Sequence, residues 1–465
     1  MSRSVGIRFL VLFAAISLTG SVAARQPYES TYEPRPAESV LIRGATVLTG
    51  TGNRLDNADV HLSGGLIMAV GVDLPIDNAR VVDAEGRWLT PGIIDVHSHL
   101  GNYPAPGIAS TSDGNEMTGP NASHVWAEHS VWPQDPQFPL ALAGGVTTLQ
   151  ILPGSGNLFG GRGVTLKNVP AVTVQDMKFP GAKQSLKMAC GENPKMSYGP
   201  RNQKPATRMG NIAGFRAAWA KARHALDKEE ARVAKAGAAE ENGEDSDSDE
   251  PDVPPARDLG VETLVGVLKG EIMVHNHCYR ADEMAWMMDV AAEFGYRITA
   301  FHHAVESYKI ADRLAEAEIC SAMWADWWGF KLEAFDTVTQ NVALVDQAGA
   351  CAIVHSDSAT GIQHLNQEAA KAMAAARRQG MAVDEARAIS WITLNAARAL
   401  EIDDRTGSIE VGKAADVVLW SGNPFSVYTR ADQVYVDGFP YYDRQAGKRP
   451  VTDFELEQTV SGGGE

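Results

Sequence analysis

The chain has 465 residues, is 44% hydrophobic with a mean hydropathy of −0.18, and carries a formal net charge of −17. That length accommodates one large α/β domain and a smaller one around a substantial core. No Lys/Arg patch with interleaved aromatics offsets the acidity, which argues against a nucleic-acid partner, and acidity by itself concerns solubility and steering rather than a site.

In chain order, the first segment, residues 1–24, carries Arg3 and Arg8, the apolar run Phe9 to Ile16, and the small residues Ser21-Val22-Ala23-Ala24. That order predicts a cleaved secretory signal, a mature chain starting near Arg25, and a periplasmic or secreted protein. The apolar run is short for a membrane span, and no later stretch qualifies, so no membrane association is expected after cleavage. Next, Val40 to Arg43, Ala45 to Leu48, Val60 to Leu62, Ile67 to Val70 and Arg80 to Asp83 alternate with Gly, Asn and Asp turns, the pattern of a small sheet. Gly407 to Trp420 and Gln433 to Val436 resemble strands of the same sheet, which gives a composite β domain from residues 39–90 plus 401–450.

Between them, over 91–400, eight strand-like runs alternate with helical ones: Ile93 to His97, Val146 to Leu152, Val164 to Lys167, Leu186 to Cys190, Ile272 to His277, Arg297 to His302, Ile319 to Trp324 and Ala350 to His355. The expected fold is therefore α/β, a parallel (β/α)8 TIM barrel with a small β-sandwich built from both chain ends. Helices are expected at Met209 to Lys235, Arg280 to Phe294, Tyr308 to Ala317, Asn366 to Gln379 and Val383 to Leu400. Residues 236–258 include a charge-dense run, Glu240 to Asp252, with no apolar side chain to bury, and read as a disordered acidic insertion. Cys190, Cys278, Cys320 and Cys351 show no CxxC spacing; small buried core residues are the favoured reading over disulfides.

Chemistry concentrates at strand ends. His97 and His99 are two apart, so on a strand both imidazoles share a face and can converge on one metal. His275 and His277, then His302 and His303, then His355 and Asp357 end the fifth, sixth and eighth runs. C-terminal strand ends are where TIM barrels keep their active sites, and four such coincidences are hard to assign to packing.

The runs Ala45 to Leu48 and Pro91-Gly92-Ile93-Ile94-Asp95-Val96-His97-Ser98-His99, with Thr393 to Ala397 and Gly407 to Val418, resemble the amidohydrolase superfamily, most of all its imidazolonepropionase-related, prolidase-like branch. The resemblance implies His97 and His99 as ligands of a more buried metal, His277 and His303 as ligands of a second, and Asp357 as ligand and proton shuttle. His302 is then expected to face the barrel wall. Members of the family bridge two metals with a carboxylated lysine or a glutamate. Lys187, in Leu186-Lys187-Met188, fits the first and Glu192 the second; strand parity sets them on opposite faces, so one of the two is expected to be a ligand.

The mixed N/O donor set suits one or two divalent ions, with zinc expected. Such an ion brings the pKa of bound water to about 7, so hydrolysis of an amide, peptide or cyclic amide without a covalent intermediate is expected, the metal-bound hydroxide attacking and Asp357 moving the proton. Ring deamination on the same scaffold, or a secreted binding protein that has lost activity, are the alternatives. Tyr103, Asn157, Arg201, Arg280 and Tyr308 are candidates for recognising a small-molecule or peptide substrate, and Trp324 to Trp328 for lining an apolar pocket. The sequence is compatible with a homo-oligomer.

Overall fold

Strand β1 (Val40–Leu48) starts a run of five, continuing through β2 (Arg54–Ser63), β3 (Leu66–Gly71), β4 (Arg80–Asp83) and β5 (Trp88–Pro91), in a computed structural model that describes residues 28–242 and 256–446. The predicted signal and the central part of the acidic run, 243–255, lie outside the described residues. The barrel strands come next: β6 (Ile93–Ser98), β7 (Val146–Ile151), β8 (Phe159–Lys167), β9 (Ser185–Ala189), β10 (Met273–His277), β11 (Ala300–His302), β12 (Cys320–Met323) and β13 (Ala352–Val354). Finally β14 (Val417–Trp420), β15 (Ala431–Val436) and β16 (Phe439–Asp443) return to the first sheet, whose order is β16-β15-β14-β5-β1-β2-β3 with β4 paired to β1.

That sheet folds around an apolar core of its own, including Val40, Ile42, Val47, Val60, Leu62, Val417, Leu419 and Tyr435. β14 pairs antiparallel with β5, Val417 opposite Pro91 and Trp420 opposite Trp88, so the two ends of the chain join just where β5 enters the barrel. Gly92 marks the passage: a Cβ there would lie 2.0 Å from Thr147 Oγ1 on β7, so only glycine allows this approach. Buried Lys167, at the end of β8, reaches Asp437 at 2.8 Å and Asp416 at 3.4 Å, and Tyr32 donates to Asp437 at 2.6 Å. This is why Asp416 sits in the closing motif: it anchors the first sheet to the barrel.

The eight barrel strands are neighbours in sequence order from β6 to β13. The residues just after β13 close the barrel against β6: the Asp357 N–H donates to the His97 carbonyl at 3.0 Å, and the Ser356 N–H to Asp95 Oδ1 at 3.2 Å. One strand departs from the parallel expectation. β8 runs antiparallel to both β7 and β9. The link from Ile151 to Phe159 is too short for a crossover, which needs about a dozen residues, so the chain turns back as a hairpin.

The cysteines also differ from expectation, forming the disulfides Cys190–Cys278 and Cys320–Cys351. Register explains the pairs. Ala189 lies opposite His277, so the next residues on each strand meet, and Ser321 lies opposite Ala352, so the preceding ones do. The helix Arg208–Asn242 extends into the predicted insertion, so residues 236–242 are helical rather than disordered. The expected helix Val383 to Leu400 is broken into Glu385–Ala388, a tighter turn Ile389–Ile392, and Leu394–Ala399.

Candidate active site

His97 is fully buried on β6, and its Nε2 lies 3.1 Å from Lys187 Nζ and 3.6 Å from Asp357 Oδ1. His99, one residue beyond β6, places its Nε2 3.1 Å from the same Asp357 oxygen. Its Nδ1 meets the Leu152 carbonyl at 2.7 Å, and since a carbonyl only accepts, Nδ1 carries the proton and the Nε2 lone pair faces the site. Candidate ligand atoms of His97, His99 and Asp357 lie within 4.8 Å of one another. The His303 Nε2 approaches the other Asp357 oxygen at 3.8 Å, and the His277 and His303 rings are 4.7 Å apart.

Two backbone features make this convergence. Asp357 has φ 50 and His303 has φ 57, left-handed conformations uncommon outside glycine. At His303 the chain leaves the strand, so His302 and His303 both enter the barrel instead of alternating. The expectation that His302 faces the wall is thus corrected. Its Nδ1 lies 2.9 Å from His97 Nδ1 and its Nε2 2.8 Å from His275 Nδ1, all three rings fully buried.

One tautomer assignment satisfies this chain of imidazoles throughout: with the Lys187 amine donating to His97 Nε2, the His97 proton is on Nδ1 and His302 Nδ1 accepts it. His302 then carries its own proton on Nε2 and donates to His275 Nδ1. The remaining proton, on His275 Nε2, faces the Ala399 backbone without closing to a full hydrogen bond.

Burial governs the electrostatics. It holds His97, His277 and His303 well below the usual imidazole range, with neighbouring cationic groups adding to the effect, so all three are neutral. Lys187 is inward and buried, and burial brings its amine down to about 7, partly opposed by Asp357. At Asp357 burial pushes the carboxyl up, but the hydrogen bond and charge of His99, then His355 and Lys187, outweigh it and leave the group below its ordinary value. Asp95 beneath the site is raised to about 7, chiefly by burial, and accepts from the His97 and Ser356 backbone N–H groups and the Ser356 hydroxyl.

The donor set fits a divalent metal. Neutral imidazoles and a carboxylate are the protonation states that bind one. Buried Nδ1 atoms of His277 and His303 have no hydrogen-bond partner, a cost of about 1–3 kcal/mol each that ligation by these nitrogens themselves would remove. Glu192 lies elsewhere: it opens the helix Glu192–Tyr198 at the rim, half-buried, with its carboxylate 3.8 Å from Lys331.

Of the substrate candidates, Tyr103 is at the site, its ring 5.8 Å from that of His99. It lines a 640 Å³ cavity with Asn115, Met117, Ser155, Asn193 and Met196. The others are placed differently. Buried Asn157 donates to the Glu116 carbonyl and accepts from Tyr198, both at 2.6 Å, so its amide is consumed by the loop fold. Arg280 is bound to Asp282, Tyr308 donates to the Asp336 carbonyl, and Arg201 is exposed in the turn Gly199–Arg201. Sequence reasoning missed Asn193, Lys331 and Tyr279. Asn193 Nδ2 sits 3.4 Å from His277 Nε2, and its Oδ1 accepts from Lys331 at 3.0 Å. The signal available for Asn193 and Tyr279 was their position just after β9 and β10, which carry Lys187 and His277; Lys331, well beyond β12, had no such signal.

The family whose pattern matches the chain is the amidohydrolase family, over residues 88–441. The amidohydrolase tasK of Hapsidospora irregularis is 32% identical over 403 residues, 83% of this chain and 40% of its own length. A dihydroorotase of Streptomyces coelicolor is 36% identical over 106 residues, 23% of this chain and 22% of its own. The chain thus spans well under half the length of these curated relatives. Among solved structures, an amidohydrolase from Thermotoga maritima is 34% identical with a TM-score of 0.77, covering 87% of this chain and all of that one. A structure described as a prolidase, from Bifidobacterium longum, shares the fold at 15% identity and a TM-score of 0.52, covering 92% and 99%. With the family pattern matched across both sheets and through the strand ends that gather His97, His99 and Asp357, this chain belongs to the amidohydrolase family.

Proposed function

We propose that the protein is a metal-dependent hydrolase of C–N bonds in amides, peptides or cyclic amides. The observation that carries this reading is the meeting of His97, His99, Lys187 and Asp357 at one end of the barrel. His97 and His99 would hold one divalent ion, His277 and His303 a second, with Asp357 as a further ligand; zinc suits this N/O set. When bound, such an ion supplies an acidified water and polarises the scissile carbonyl.

The chain's own groups handle the proton. Asp357 is ionised at neutral pH, so it accepts the proton of the attacking water and returns it to the leaving nitrogen as the C–N bond breaks and the C–O bond forms. Lys187, inward and with an amine near neutrality, is suited to carry a carbamate formed with carbon dioxide and to bridge the ions. Glu192, paired toward Lys331, is the less suited rival. The two disulfides support export to an oxidising compartment such as the periplasm.

The test is metal analysis of purified protein with a hydrolysis screen over dipeptides, N-acyl amino acids and cyclic amides. Activity should vanish in His97→Ala together with bound metal, and in Lys187→Ala should return with a short carboxylate. An active, fully metallated His97→Ala would sink the reading. Ammonia released from heterocycles in place of new amino and carboxyl groups would favour deamination, as the match to a deaminase of Thermococcus sibiricus over 95 residues allows.

A further inference from the structure

The segment after β12 carries the exposed aromatic side chains Trp327, Trp328 and Phe330. Trp324 is buried, stacked on His303 at 4.4 Å, with its indole N–H on the Ser356 carbonyl at 3.1 Å. Trp327 stacks on Trp324 at 4.8 Å and 15°, yet is 37% exposed; Phe330, 55% exposed, packs edgewise on Trp324 and against Tyr279. A continuous aromatic wall therefore leads from a metal-site imidazole out to solvent. Apolar surface left open beside a catalytic centre marks binding rather than folding.

Next to that wall lies a cation held by one close hydrogen bond and two looser ion pairs. Lys331 has only 16% of its side chain exposed, sits 3.9 Å over the Tyr279 ring, and makes one short hydrogen bond, to Asn193. Glu192 and Glu333 lie at 3.8 and 3.9 Å, beyond hydrogen-bond reach. Glu333 is also engaged by Arg208 and by the Glu192 N–H. An ammonium has three donors and Asn193 takes one at close range, so an incoming carboxylate competes with the two looser carboxylate pairs for the others. Through Asn193 the cation is also one residue from His277 and from the 640 Å³ cavity.

We propose that the substrate is an amide bearing both a carboxylate and an aromatic or similarly large apolar group, the carboxylate held by Lys331 and the ring by Trp327 and Phe330. This rests on the C–N hydrolase reading and narrows its substrate class. Charge-assisted hydrogen bonding inside a partly desolvated pocket and stacking on a fixed ring act independently, so each has its own variant.

The experiment measures binding to the metal-loaded protein by calorimetry, using sulfonamides that resist hydrolysis: N-methanesulfonyl-L-phenylalanine, its carboxamide, and N-methanesulfonyl-L-alanine. The acid should bind about tenfold tighter than the carboxamide, a difference that Lys331→Met collapses while carboxamide binding changes little. Trp327→Ala should remove most of the preference for phenylalanine over alanine, about fivefold, and keep the acid preference. Equal binding of acid and carboxamide, an acid preference that survives in Lys331→Met, or no binding of the acid up to about 10 mM each overturns the proposal. A carboxylate held only by the catalytic centre would give the second result. Failure of hydrolysis with Lys331-dependent binding intact would count against the hydrolase reading and leave only the assignment of Lys331 and Trp327 as the carboxylate- and ring-binding groups.

Discussion

Lys187 is the residue on which burial acts most directly. Unfolded, its amine keeps a proton to about 10.5; folded, to about 7. Between those values the unfolded chain holds a proton that the folded chain has released, so this group's contribution to stability rises with pH across that window and is complete above it. The slope approaches about 1.4 kcal/mol per pH unit in metal-free, carbon-dioxide-free protein. Urea unfolding of wild type and Lys187→Met from pH 7.5 to 9.5 isolates the term, because other titrating groups cancel in the difference. Parallel stability curves for the two proteins would mean that the lysine is charged in the fold, and the carbamate reading would lose its basis. The sequence showed a lysine flanked by apolar residues; that it points inward toward His97 became visible only with the strand's register.

At the level of elements, the site depends on how β6, β10 and β11 are tied together from below. The chain from His97 through His302 to His275 crosses all three strands and fixes the His97 lone pair toward the site. Partners of this kind change metal affinity by about 10–100-fold when removed. His302→Phe should therefore weaken metal binding by that amount in a chelator competition. His302→Asn sets an amide oxygen near the former Nδ1 and should stay within about threefold of wild type. Equal losses in the two variants would reduce His302 to packing. Period-two alternation placed His302 on the wall because it treats a strand as regular to its end, whereas His303 has already left it at φ 57. The same limit hid the reversal of β8: its apolar run reads alike in either direction, and only the short link from Ile151 to Phe159 pointed to a hairpin. By contrast the strand order and the grouping of His97, His99 and Asp357 were legible, because barrel strands succeed one another along the chain and gather their chemistry at one end.

Across the whole molecule, the two disulfides connect the site to the compartment in which the protein folds. Cys190–Cys278 closes an 88-residue separation just beyond Lys187 and His277, and Cys320–Cys351 a 31-residue one at the opposite strand ends. Spacing alone could not pair these cysteines, since their neighbours are set by register between strands far apart in sequence. On chain-entropy grounds each bond contributes about 2–4 kcal/mol, the longer loop exceeding the shorter by about 1 kcal/mol. Cys190→Ser/Cys278→Ser should therefore unfold at lower denaturant than Cys320→Ser/Cys351→Ser. It should also lose metal more readily, because β9 and β10 are then held at their tips by main-chain pairing alone. Protein recovered by way of its own residues 1–24 should show no free thiol by mass-shift labelling under denaturing conditions. Protein made without that segment in a reducing cytosol should expose up to four thiols and unfold earlier. Free thiols in the exported form would separate the cysteines from export and return them to the role of buried core residues.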